Sequence, residues 1–225
     1  MTVIGQALRV AGKDLRIELR SREILYTMAF FGALLAVVDA FVFPANAKLA
    51  RAAAPGMLWV AIAFAGTIGL GRAFDREREN DTMRALLLTP VPRLAVFLGK
   101  AAAMTVLVLS VSLVCVPLLS LLLDVPLVEH PPLALALLLG AIGFSVTGSV
   151  FSAALLKVRS RDVLLPVILY PLLIPLFVAG TSATAALLEI PRNDDKLWYW
   201  IGFLGIYDLA FLVVSVWIFE SMVIE

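Results

Sequence analysis

The sequence predicts an all-α integral membrane protein: six transmembrane helices behind an N-terminal amphipathic interfacial helix. Three observations carry the fold class. Of 225 residues, 62% are hydrophobic and 16% charged, against about a quarter charged in an ordinary soluble domain. Six apolar stretches approach or exceed the roughly 17–25 residues that a helix needs to cross the hydrocarbon. The leading segment carries apolar and basic residues on separate helical faces. The net charge of +1 decides nothing, because the placement of charges matters more than their sum. The single cysteine, Cys115, falls in an apolar run, so no disulfide framework forms within one chain.

Residues 2–22 come first. Ile4, Leu8, Ala11, Leu15 and Leu19 recur at helical spacing, and Arg9, Lys13, Arg16 and Arg20 recur on the other face. Such a helix lies in the membrane interface. It lacks a short apolar core followed by a small-residue cleavage site, so no signal peptide is expected. The six spans are expected near 24–43, 55–71, 94–123, 133–156, 163–181 and 199–220. The third is long enough to tilt or bend, with Pro117 as the place to bend. The fifth holds Pro166, Pro171 and Pro175, which leave carbonyls without intrahelical donors and predict burial inside protein. Residues 179–191, AGTSATAALLEIP, read as a short re-entrant or interfacial helix. Trp198, Tyr199 and Trp200 read as an interfacial aromatic belt, with Trp59 as a further anchor.

Orientation follows from lysine and arginine. Lys48, Arg51, Arg192 and Lys196 fall on one side. The other 14 of the 18 basic residues fall with the two termini and the loops 72–93 and 157–162, counting Lys100 as snorkelling there. Both termini are therefore expected in the cytoplasm. The sequon Asn80-Asp81-Thr82 lies on that inner side and is discounted.

The chemistry-bearing residues are few. The phosphate-binding pattern Gly-x4-Gly-Lys-Ser/Thr is absent, so any ATP would be hydrolysed by another chain. The one histidine, His130, sits in an outer loop; a solvated loop histidine is the commoner role, and an axial haem ligand the chemically able alternative. No paired Cys/His spacing suggests a metal. Two carboxylates fall inside spans, Asp39 near the outer end of the first and Asp208 near the middle of the sixth. A charge at that depth costs at least about 2.5–3.5 kcal/mol. Asp208 is read either as functional or as a helix-to-helix hydrogen bond, with Tyr207 beside it. Gly66, Gly69, Gly71, Gly140, Gly143, Ser145, Gly148, Ser149, Gly202 and Gly205 permit close helix approach.

The long charged stretch is 72–93, RAFDRERENDTMRALLLTPVPR. Asp75, Glu77, Glu79 and Asp81 alternate with Arg72, Arg76, Arg78 and Arg84, which favours a short helix with i,i+3 and i,i+4 pairs. Its field largely cancels, making it a poor nucleic-acid site. An apolar return, Ala85–Leu88, is stopped by Pro90 and Pro92. A charged helix followed by an apolar return suits docking into a soluble partner. Arg76, Glu77, Arg78 and Glu79 are expected to set that docking surface, with Leu86 and Leu87 packing the loop against the partner's membrane end.

Several stretches carry a family resemblance: Lys13–Arg20 (KDLRIELR), Ala54–Ala61 (APGMLWVA), Phe74–Pro92, Gly99-Lys100, and Leu165–Leu176 (LPVILYPLLIPL). With six spans and this length, the chain resembles the haem exporter protein B family (CcmB), ABC-2 type permease subunits of cytochrome c maturation. One departure stands out. The family's loop commonly reads Asp-Gly-Ser/Thr-Leu/Ile-Glu, whereas Asn80 to Arg84 here places Asp81 at the glycine and Arg84 at the final acid. The resemblance implies that 72–93 is a coupling helix for a CcmA-like ATPase and that 2–22 is the connecting helix. It implies two copies of each subunit, CcmC-like and CcmD-like membrane subunits, and a CcmE-like haem chaperone released on ATP hydrolysis. Haem would be cargo of the complex, ATP would bind the partner, and the membrane would be the bacterial inner membrane. An ABC-2 permease for a lipid, drug or polysaccharide is the alternative. A membrane-embedded enzyme using Asp39 or Asp208 would need clustered acid-base or metal residues that the sequence lacks.

Overall fold

A computed structural model describes residues 2–42, 47–79, 92–155, 158 and 160–222. Among them the regular structure is helical: α1 Val3–Ser21, α2 Glu23–Val42, α3 Ala47–Glu79, α4 Arg93–Leu123, α5 Pro132–Ala154, α6 Arg161–Leu188 and α7 Asp194–Met222. Six of these, α2 to α7, are long and apolar enough to cross a membrane.

The bundle has a centre and a rim. Within their apolar windows α3 and α5 are each 67% buried, while α2 is 22% buried. Helix α3 packs against α2, α4, α5 and α6, and α5 packs against α3, α4, α6 and α7. Glycines make these approaches close. A Cβ on Gly66 would strike the Phe144 ring, and one on Gly32 would lie 2.9 Å from the Cys115 Sγ. Gly71, Gly202 and Gly205 face open space instead, so only part of the small-residue pattern reflects close packing within this chain.

Helix α1 ends and α2 begins within one residue. Arg22 takes a left-handed conformation (φ 57°) and its N–H donates back to the Glu18 carbonyl. The Glu18 carboxylate, 4% exposed, then accepts from the Leu25 N–H at 2.8 Å. One acid of α1 thus satisfies a first-turn donor of α2, which would otherwise be an orphan. Thr2 caps α1 by accepting from the Gly5 N–H at 3.4 Å.

Several expectations are corrected. The outer loop expected at 44–54 is mostly helix, because α3 starts at Ala47 and carries Pro55 inside it. Proline is favoured in a first turn but does not always mark one. Residues 179–188 are no separate re-entrant helix; they continue α6 without a break. Nor is the proline-rich span enclosed within this chain. Its stripe Leu165, Leu169, Leu173, Leu176, Ala179 and Ala183 is buried, while Pro171 and Pro175 point outward. The Tyr207 hydroxyl of α7 donates to the Leu172 carbonyl at 3.1 Å, next to the Pro171 carbonyl that Pro175 leaves without its i+4 donor. Trp59 is no interfacial anchor: it is 2% exposed, donates through Nε1 to Thr184 Oγ1 at 3.0 Å, and fills space left by Gly140 and Gly180. Trp198 and Tyr199 do stand exposed near the start of α7.

Candidate functional site: the loop roots and the leading helix

Helix α1 has three faces rather than two. Ile4, Leu8 and Leu19 are exposed, as an apolar stripe meant for lipid should be. Arg9, Arg16 and Arg20 form a second exposed face. A third, holding Ala7, Val10, Ala11, Asp14 and Glu18, lies toward the bundle, and α1 packs chiefly against α4. Ala11, assigned to the lipid stripe by spacing, is buried at the border of this third face. Gly99 of α4 makes the contact close: a Cβ there would lie 2.6 Å from the Val10 Cβ and 2.7 Å from the Ala7 carbonyl oxygen.

Next to Gly99 stands Lys100. It does not snorkel to water, because its side chain is 6% exposed. Its ammonium lies 3.5 Å from Asp14 Oδ2, and Lys13 pairs with the other oxygen of Asp14 at 2.9 Å. The same ammonium sits 5.8 Å from the centroid of the Phe74 ring, within cation–π range. Phe74 is buried near the end of α3, and Lys100 lies two turns into α4. The two residues therefore mark the roots of the charged loop, and Asp14 of the leading helix meets both through one ammonium.

The docking residues expected from sequence divide. Arg76, Glu77, Arg78 and Glu79 lie on the last turns of α3, whose backbone remains helical through Glu79; their side chains lie outside the described residues. Leu86 and Leu87 lie outside the described residues altogether.

The other candidates do not join this cluster. Asp208 is 8% exposed beside Gly143, and neither carboxyl oxygen has a hydrogen-bond partner. Of the two readings of Asp208, the bond to a neighbouring helix is not formed; Tyr207 beside it makes a polar link from α7 to α6 instead. Asp39 is half-buried with Oδ2 unpartnered. His130 is half-buried and lines a groove of about 670 Å³ with Val106, Ser110, Leu113, Pro117 and Leu127. Among the described residues no group of three or more His, Cys, Asp or Glu could hold a metal ion.

Sequence reasoning missed the Asp14–Lys100 pair and the Glu18 cap. The signal was present: Asp14 and Glu18 stand one turn apart on a face otherwise small and apolar, and a lysine within an apolar run needs a partner.

Six apolar spans with a docked interfacial helix and a charged loop between the second and third define an all-α, multi-pass membrane protein of the permease kind. The chain belongs to the CcmB protein family, whose model matches residues 5–223. It is 29% identical to "Heme exporter protein B" of Pseudomonas aeruginosa over 180 residues, 80% of each chain. It is 28% identical to the protein of that name from Bradyrhizobium diazoefficiens over 194 residues, 86% of each chain. With that of Paracoccus denitrificans it shares 31% over 175 residues, 76% of this chain and 78% of the relative.

Proposed function

We propose that this chain is the membrane permease subunit of a haem export system, driven by ATP hydrolysis on a partner. The observation that carries the reading is likeness along most of both lengths to proteins named haem exporter protein B. The loop 72–93 docks a CcmA-like ATPase, with Arg76, Glu77, Arg78 and Glu79 as its charged surface and Leu86 and Leu87 as its apolar return. CcmC-like and CcmD-like subunits complete the complex, two copies of the chain take part, and a CcmE-like chaperone leaves loaded with haem. The chain's part is mechanical: a single histidine at a groove is a sparse ligand set for haem. Its place is the bacterial inner membrane, with both termini cytoplasmic, as the bias of basic residues favours.

The test is purification of the tagged chain from its own membranes in mild detergent, with every co-purifying protein identified. A P-loop ATPase together with a haem-handling membrane protein is the expected result. An ATPase alone leaves an ABC permease and removes the support for haem. Neither partner, under conditions that preserve other membrane complexes, overturns the reading. Reversing the four charges at 76–79 is expected to abolish ATPase association while leaving insertion intact; full recruitment by that variant would overturn the docking assignment.

A further inference from the structure

We propose that Asp14, Lys100 and Phe74 form a clasp that positions the roots of the charged loop against helix α1, so that displacement of the loop by its partner is passed to α1 and onward to α2. The role assigned to the loop rests on the function proposed above; the clasp itself rests on geometry.

Three helices meet at one ammonium. Lys100 lies in α4, its side chain is 6% exposed, and Asp14 of α1 faces it at 3.5 Å. Phe74 of α3 faces it at 5.8 Å. A position serving packing alone would take a leucine or methionine without the desolvation penalty of a buried charge. The pair is held by close approach, since Gly99 lets α4 come against the Ala7 carbonyl and the Val10 side chain. Helix α1 is thus joined firmly to α4 along one face, while its Ile4, Leu8 and Leu19 face is exposed. At its far end the buried Glu18 carboxylate holds the Leu25 N–H. A path therefore runs from Phe74 and Lys100 to Asp14 by contacts of the ammonium, along one turn of the α1 helix to Glu18, and by its charge-assisted hydrogen bond to the first turn of α2. Asp14 and Lys100 are positioning residues: nothing places them against cargo.

The test compares the complex carrying Lys100→Met, which keeps length and removes charge, with the wild type and with the reversed pair Asp14→Lys plus Lys100→Glu. Three quantities are read: the amount of ATPase that co-purifies, the yield of mature c-type cytochrome, and the rate at which trypsin cuts at Arg76, Arg78 and Arg84 in membranes. Lys100→Met is expected to keep ATPase recruitment near wild type, lower cytochrome yield by about tenfold, within the usual coupling range, and speed tryptic cleavage. The reversed pair is expected to recover part of both losses. Wild-type yield and cleavage in Lys100→Met would overturn the clasp. A fall in ATPase recruitment parallel to the fall in yield would overturn its transmitting role and make the pair a docking support. If no ATPase accompanies even the wild type, the proposed function fails; faster cleavage in Lys100→Met, reversed by the exchanged pair, would still establish the clasp.

Discussion

At the scale of single residues, buried polar groups separate into those with partners and those without. Trp59 has one. Its indole fills the gap between Gly140 and Gly180, and its N–H reaches Thr184. Trp59→Ala should cost about 3–5 kcal/mol, the range for emptying a buried aromatic site. Trp59→Phe keeps much of the bulk and should cost less. Cys115 offers the readout, being the one cysteine and fully buried: its reaction with a thiol-reactive dye on heating should begin earliest in Trp59→Ala. Equal midpoints for all three proteins would show that the site is not packed as described. Asp208 is the opposite case. Neither oxygen has a partner to lose, so Asp208→Asn keeps volume, removes any charge, and should melt no earlier than wild type by the same assay. A lower midpoint would reveal a partner that the carboxylate needs. The sequence made Asp208 conspicuous and Trp59 misleading for one physical reason. Depth of an acid in an apolar run is legible, whereas the direction a tryptophan faces depends on glycines 81 and 121 positions away.

Among the elements, the proline-rich α6 shows how far a pattern carries. Three prolines in one span say that backbone carbonyls lose donors; they do not say who replaces them. The buried stripe Leu165, Leu169, Leu173 and Leu176 recurs at helical spacing, a signal that attention to the prolines passed over. Enclosure of the whole helix did not follow, because lost N–H groups can be compensated one at a time. Nearby, Tyr207 serves the Leu172 carbonyl, next to the Pro171 carbonyl that Pro175 deprives of its i+4 donor. Tyr207→Phe removes that one bond and should cost about 0.5–1.5 kcal/mol. Pro175→Ala restores a donor to Pro171 and not to Leu172, so the two changes should add. A double-mutant cycle measures any difference directly. Coupling between them would show that the tyrosine bond compensates for Pro175. Helix ends were the least legible feature, and α3 shows why. Pro55 reads as a first-turn residue, yet helix continues eight residues before it.

At the scale of the whole molecule, the remaining question is which sides the polar segments share. Six crossings return the chain to the side it started from, and the contact of Asp14 with Lys100, beside Phe74, puts α1 at the same end as the roots of the loop 72–93. The basic residues then segregate: Arg9, Arg16 and Arg20 lie at that end, whereas Lys48 and Arg51 in the first turns of α3, Arg192 just before α7 and Lys196 in its first turn lie at the opposite helix ends. This much of the candidate site was legible, because charge asymmetry is written in composition. The clasp was not, because it needs the distance between residues 14 and 100. Lys100 leaves the orientation argument, since its partner is Asp14 rather than water. The imbalance survives without it, and it favours the orientation proposed above, with the terminal side cytoplasmic. Trypsin added to inverted inner-membrane vesicles should therefore cut within 76–84. Added to right-side-out vesicles it should spare that segment and reach only the sparse basic sites Lys48, Arg51, Arg192 and Lys196. Cleavage within 76–84 from the outside would invert the topology and place the loop beyond reach of any cytoplasmic ATPase. Protection from both sides in membranes holding the partner, with cleavage after its removal, would mark the loop as covered, the state that docking requires.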